Sequence, residues 1–271
     1  MSTNIGKTLL VMLLMAGLVI SGCSSTGGGS KSMSRQDARQ EMDPLLRSRL
    51  DLAAEYLRKG NHVGARDHLQ KALTIDRSEP EIYDLMALMY YKELEYDLAE
   101  ENYRKAISVD RYFTRGYNNL GSFLYARERY DEACEMFEKA ASDVDYILRS
   151  SVFVKLGQCQ LMQGNREGAE QSFQKAVALN PQMSYVYLEL AQMAFEDKDF
   201  PRAKNYWNYY DGLKRQPSAK GLWLGVRLEH EFGNLDARDS RGLALTKLFP
   251  DSKETLEYKK WLQNGYKDRN P

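Results

Sequence analysis

Cysteine, histidine and proline are all scarce in this chain of 271 residues, which has three, three and seven of them. The three histidines, His62, His68 and His230, stand neither in an HExxH arrangement nor beside paired cysteines, so the sequence offers no metal-ligand spacing. A GxSxG elbow and a GxxxxGKS phosphate loop are also missing, and no nucleophile has a base at a recognisable spacing. Thirty-eight basic residues are balanced by 38 acidic ones, which removes the electrostatic case for a nucleic-acid partner. Nor is there any run of about twenty apolar residues of the kind needed to span a bilayer. The few prolines and the abundance of Leu, Ala, Glu, Lys, Arg and Tyr favour helix, so the expectation is an all-α chain.

What hydrophobic run there is lies at the start. Lys7 precedes an apolar stretch from Leu9 to Ile20, which Gly22, Cys23 and a Ser/Gly-rich tract bring to an end. That is the length of a secretory signal core. Ile20-Ser21-Gly22-Cys23 resembles the bacterial lipobox, and the resemblance implies removal of residues 1–22, lipid on the Cys23 thiol and anchorage by several acyl chains. Ser24 stands where an inner-membrane retention aspartate would sit, so the resemblance further implies the outer membrane, with the protein facing the periplasm. The alternative is ordinary secretion. Residues 23–40 then form the lipidated N-terminus and a flexible tether, whose SSTGGGSKSMS segment spans roughly 20 Å by chain statistics. No cofactor is expected apart from the covalent lipid.

A repeat governs the remainder. The segments GARDHLQKAL, LAEENYRKAI, EACEMFEKAA, GAEQSFQKAV and RAKNYWNYYD each carry a small residue followed four positions later by a bulky apolar one. The small residues are Ala65, Ala99, Ala133, Ala169 and Ala203, at spacings of 34, 34, 36 and 34, and Ala237 follows after 34 more. Leu69, Tyr103, Phe137, Phe173 and Trp207 are the bulky partners, and upstream halves such as Leu52-Ala53, Met86-Ala87, Leu120-Gly121 and Leu156-Gly157 keep the same register. This period and stripe match the tetratricopeptide repeat. The fold expected is an all-α right-handed superhelical solenoid over 41–265, with units at about 46–79, 80–113, 114–149, 150–183, 184–217 and 218–251 and a capping helix at 252–265. TIDRSEP and ALNPQ mark the ends of units, with Pro80 and Pro181 suited to first-turn positions, and the two-residue surplus falls in SDVDYILRS, between units three and four. The final units depart from the pattern: Tyr210 takes an alanine slot, Arg241 a bulky slot, and Leu256, Trp261 and Leu262 would anchor the cap.

Carboxylates such as Glu100 and Glu135 lie four residues before Arg104 and Lys139, a solvated-face pattern and not an acid/base pair. The chain is accordingly read as non-enzymatic, with neither a metal nor a small-molecule substrate. Cys134 and Cys159 fall on helices that should be stack neighbours, so they form either a disulfide or two buried thiols. Function would come from the concave face lined by the first helix of each unit. Leu50, Leu57, Leu88, Tyr91, Tyr125, Leu161, Tyr185, Leu188 and Phe195 form a second apolar stripe there, which is either a partner-binding groove or packing against adjacent units. The lysine and asparagine needed for a C-terminal carboxylate clamp are replaced in unit one by Leu50 and Ala54, although Arg115 and Asn119 remain.

From the lipobox through the repeats to the cap, and in stretches such as RGYNNLGSFLYARERYDEACEMFEKA, the chain resembles the type IV pilus biogenesis and stability proteins of the PilF/PilW group. That resemblance implies a pilotin, a lipid-anchored protein that binds secretin subunits and promotes their outer-membrane localisation and multimerisation. A scaffold lipoprotein that recruits or regulates peptidoglycan enzymes would use the same parts.

Overall fold

The computed structural model describes residues 42–265. The expected signal peptide, Cys23 and the tether up to residue 40 lie outside those residues. Thirteen α-helices and no strand are found among the described residues. They are α1 Pro44–Arg58, α2 His62–Ile75, α3 Pro80–Lys92, α4 Tyr96–Val109, α5 Thr114–Ala126, α6 Tyr130–Ser142 and α7 Arg149–Met162. There follow α8 Arg166–Leu179, α9 Ser184–Glu196, α10 Phe200–Leu213, α11 Ala219–Glu231, α12 Leu235–Leu248 and α13 Lys253–Gly265. Consecutive helices pair as α1/α2 through α11/α12, which gives the six units of a tetratricopeptide solenoid with α13 as cap.

Local chemistry sets the helix ends. The Asp43 carboxylate accepts from the Leu45 and Leu46 amides, with Pro44 at the first helical position, where a missing N–H costs nothing. Asn61, Asn165, Asp199 and Ser218 cap α2, α8, α10 and α11 by the same means. Each turn within a unit places one residue in the left-handed region: Gly60, Leu94, Glu128, Gly164, Lys198 and Gly233. Five residues after each comes the first small slot of the following helix.

That slot carries the core. Ala65, Ala99, Ala133, Ala169 and Ala203 have no exposure at all, and their bulky partners are at most 5% exposed. The absent side chains at Gly121 and Gly157 admit the rings of Phe137 and Phe173, since a Cβ at either position would come within 3 Å of ring carbons. The surplus residues do fall between α6 and α7, and the Thr114 hydroxyl at the start of α5 donates to Asp143 in that connection. Cys134 on α6 and Cys159 on α7 are buried and joined as a disulfide, with Cα atoms 5.7 Å apart.

The last unit corrects the sequence reading. Gly233 lies 35 residues beyond Lys198 because five residues, 214–218, join α10 to α11 where four join α8 to α9, so the register of α11 and α12 advances by one. Arg238, Gly242 and Leu245 are the buried positions of α12, where Ala237 and Arg241 were expected in the first two slots. Gly242 leaves the bulky slot empty, and Tyr258 of α13 fills it, its hydroxyl 2.1 Å from where a Cβ would stand. Arg241 instead lies over Trp207 at 4.2 Å. Of the three residues expected to anchor the cap, only Trp261 packs inward, against Trp223 and His230, whereas Leu256 and Leu262 are exposed. Tyr258 and Thr255 are the buried anchors, because the advanced register turns a different face of α13 toward α11 and α12.

Candidate protein-binding surface

The face formed by α1, α3, α5, α7, α9 and α11 was expected to carry a continuous apolar groove. Three of its nine residues are core: Leu50, Leu57 and Leu188 are 3%, 2% and 5% exposed, so they pack between helices and present nothing to a partner. Leu88, Tyr125, Leu161 and Phe195 are half-buried, and only Tyr91 and Tyr185 are exposed. Much of the remaining stripe has an internal use. Tyr91 meets Tyr96, Tyr125 meets Tyr130 and Phe195 meets Phe200, ring centroids 5.3–5.9 Å apart. Each pair joins the last turn of one helix to the first residue of the next, so the rings close the turns within units. Aromatics five residues apart across the within-unit turns of units two, three and five were the available sequence signal.

Polar links between successive units occupy the same face. Arg115 of α5 pairs with Glu81 at 2.9 Å and Asp84 at 3.2 Å on α3, and Asn119 donates to both Asp84 oxygens. Burial dominates at Asp84 and holds its carboxyl above the ordinary range despite Arg115 and Asn119. Lys155 of α7 donates to Asn118 Oδ1 and Ser122 Oγ on α5, both at 2.9 Å, and burial pulls its ammonium below the usual lysine value. Lys220 of α11 pairs with Glu189 of α9 at 2.6 Å. Arg227 of α11 donates to Gln192 at 2.9 Å and lies over the rings of Phe195 and Trp223.

On the opposite helices, Glu100 bonds Arg104 and Arg129, and Lys139 bonds Glu135. The histidines serve packing or pairing: His68 stacks on Tyr56, His62 lies 3.6 Å from Glu93, and His230 meets Trp261 edge-on. Among the described residues no group of three or more His, Cys, Asp or Glu is placed to hold a metal ion. No described helix is long and apolar enough to cross a membrane. The arrangement is a surface of ordered polar pairs with isolated aromatic edges.

Tetratricopeptide repeat family models match residues 80–113 and 112–182. Over 252 residues the chain is 33% identical to the type IV pilus assembly protein PilF of Pseudomonas aeruginosa, covering 93% of this chain and 97% of that protein. A solved structure of Pseudomonas aeruginosa pilF is similar with a TM-score of 0.72 and 34% identity, over 80% of this chain and 97% of that one. That of PilW, described as a widely conserved type IV pilus biogenesis factor, gives 0.64 and 26%, over 80% and 99%. YrrB, described as a repeat protein with an unusual peptide-binding site, gives 0.60 at 20% identity over 71% and 97%, a likeness of fold alone.

Proposed function

We propose that this chain, which belongs to the PilF family of type IV pilus assembly proteins, is a pilotin that binds secretin subunits and promotes their outer-membrane localisation and multimerisation. The observation that carries the reading is that the likeness to PilF runs over nearly the whole of both chains. The division of labour is physical. Lipid on Cys23 would hold the protein at the outer membrane facing the periplasm, and the solenoid would capture a secretin segment there. Coupling the two raises the local concentration of subunits at one membrane. No bond is made or broken in this role, and the histidines and carboxylates described above are engaged in packing and ion pairs.

Deleting the gene and restoring it with intact or Cys23→Ala copies tests the reading. Heat-resistant secretin multimers and twitching should disappear on deletion, return with the intact copy, and be reduced or mislocalised with Cys23→Ala. Multimers at normal level and place after deletion would end the pilotin reading. Leu57 is unsuitable as a surface probe because charge at a side chain 2% exposed would unfold unit one. Tyr91→Glu and Tyr185→Glu alter the two exposed aromatics while sparing the core.

A further inference from the structure

The links between successive units share one design, a cation on one inner helix meeting acceptors on the inner helix before it. Arg115 and Lys220 each meet a carboxylate. Arg227 meets an amide, but two aromatic rings cover it and Glu196 and Glu257 act on it electrostatically. Lys155 differs from all three. Its two acceptors are the neutral Asn118 Oδ1 and Ser122 Oγ, and no carboxylate among the described residues lies within ion-pair distance of it. Ser122 donates its own proton to the Asn118 carbonyl at 2.8 Å, which fixes its oxygen as an acceptor toward Lys155. An ammonium has three donors, so one N–H of Lys155 is left over. The group is half-buried in the middle of the stack, over the ring of Phe137 at 5.8 Å, and a partly desolvated cation without a counter-charge is unfavourable.

We infer that Lys155, held by Asn118 and Ser122, is the receptor for a carboxylate of the bound protein segment, which supplies the counter-charge that this link lacks. The inference deepens the pilotin reading and rests on it for the identity of the partner, not for the site itself. A side-chain Asp or Glu and a chain terminus offer the same chemistry. Both place two acceptor oxygens where a charge-assisted hydrogen bond to Nζ forms.

The site is tested first with acetate as probe and acetamide as neutral control, on the mature chain carrying Cys23→Ala, by following the lysine Nζ resonances. Acetate should shift Lys155 saturably and raise its pKa toward the ordinary lysine value, with little effect on Lys220 and Lys204, which already hold carboxylates. A Lys155 resonance that ignores acetate, or all lysines responding alike, would overturn the proposal. The second arm uses overlapping secretin peptides with free and amidated C-termini and with Asp/Glu→Asn/Gln replacements. Removing the recognised carboxylate should weaken binding roughly ten- to a hundredfold, the worth of one hydrogen bond to a charged group. Lys155→Met should bind both forms equally and Lys155→Arg should keep the preference; a preference that survives in Lys155→Met refutes the assignment. The peptide series that loses affinity separates terminus from side chain. Normal secretin multimers after gene deletion would remove the pilotin reading and leave the acetate result to decide the site.

Discussion

Gly157→Ala should destabilise the protein although alanine is the better helix former, and the structure sets the size of the effect. A Cβ at residue 157 would stand 2.6, 2.8 and 3.0 Å from Cε1, Cδ1 and Cζ of Phe173, a side chain with no exposure. Carbon pairs rest at about 3.5–4.0 Å, so three ring atoms must retreat together and the ring has no flexible end to yield. Overpacking of this kind costs about 1–3 kcal/mol, against about 1 kcal/mol gained in helix propensity. The net loss should be up to about 2 kcal/mol. Phe173→Leu alone leaves a cavity, but unit one already pairs Ala53 with Leu69 at 0% and 1% exposure, so the combined variant reproduces a packing the fold uses. Urea unfolding followed by far-UV circular dichroism should place the double variant within about 1 kcal/mol of the parent, with a coupling energy of at least about 1 kcal/mol. Gly212→Ala, where nothing lies within 4 Å, is the control and should stabilise by about 1 kcal/mol. Additive single effects, or a Gly157→Ala protein more stable than the parent, would refute the pairing of helix-A glycine with helix-B ring.

Replacing both Cys134 and Cys159 by alanine should cost about 3.5 kcal/mol, the chain-entropy value for a separation of 25 residues, measurable by urea unfolding in the absence of reductant; unchanged stability would show that the bridge contributes nothing. Lys198→Gly relieves a left-handed residue at φ 61° and should stabilise by about 0.5 kcal/mol, whereas Gly60→Ala at φ 74° should destabilise by about 1 kcal/mol, both read by calorimetry. At Glu229 burial favours the protonated form, but Lys204 at 2.5 Å, Asn234 and Arg241 outweigh it and hold the carboxyl below the ordinary glutamate range. A depressed folded pKa contributes stability above the unfolded value, and that contribution is lost as pH falls through the folded one. Glu229→Gln should therefore flatten the acid limb of Tm against pH, and an unchanged limb would refute the assignment.

The fold was legible because a helix pair cannot bury its apolar stripe alone and must repeat the same small and bulky residues every 34 positions to stack. Five alanines in register were enough to place the units. Illegible was the single residue added in the stretch 214–218 between α10 and α11, although Gly60, Gly164 and Gly233 all stand five residues before their slots. Counting from the left-handed residue would have given Arg238 and Gly242 in place of Ala237 and Arg241. The binding face was misread for a different reason. Apolar residues without a partner on their own helix were taken as a stripe, but Leu50, Leu57 and Leu188 turn inward between helices, and Tyr91, Tyr125 and Phe195 find rings five residues on. A periodic pattern states which face a residue is on and not whether a neighbouring unit has already covered it.

The same one-dimensional logic explains why the disulfide sits where it does. In a stack each unit touches only its neighbours, so cooperativity is carried by successive interfaces and is limited by the weakest. The turn between α6 and α7 carries the two surplus residues, with Val144 and Ile147 left exposed in it, and a longer connection constrains the next helix less. Cys134–Cys159 ties those two helices covalently at that joint. The tie bears on recognition, because Lys155 lies one helical turn from Cys159 on α7, while its acceptors Asn118 and Ser122 are on α5 in the unit before. A bridge between α6 and α7 thus fixes the distance across which that polar site must hold its geometry. In the double alanine variant the Lys155 Nζ resonance should broaden or move while that of Lys220, two units along, stays in place; an unaltered Lys155 would mean that packing alone holds the joint.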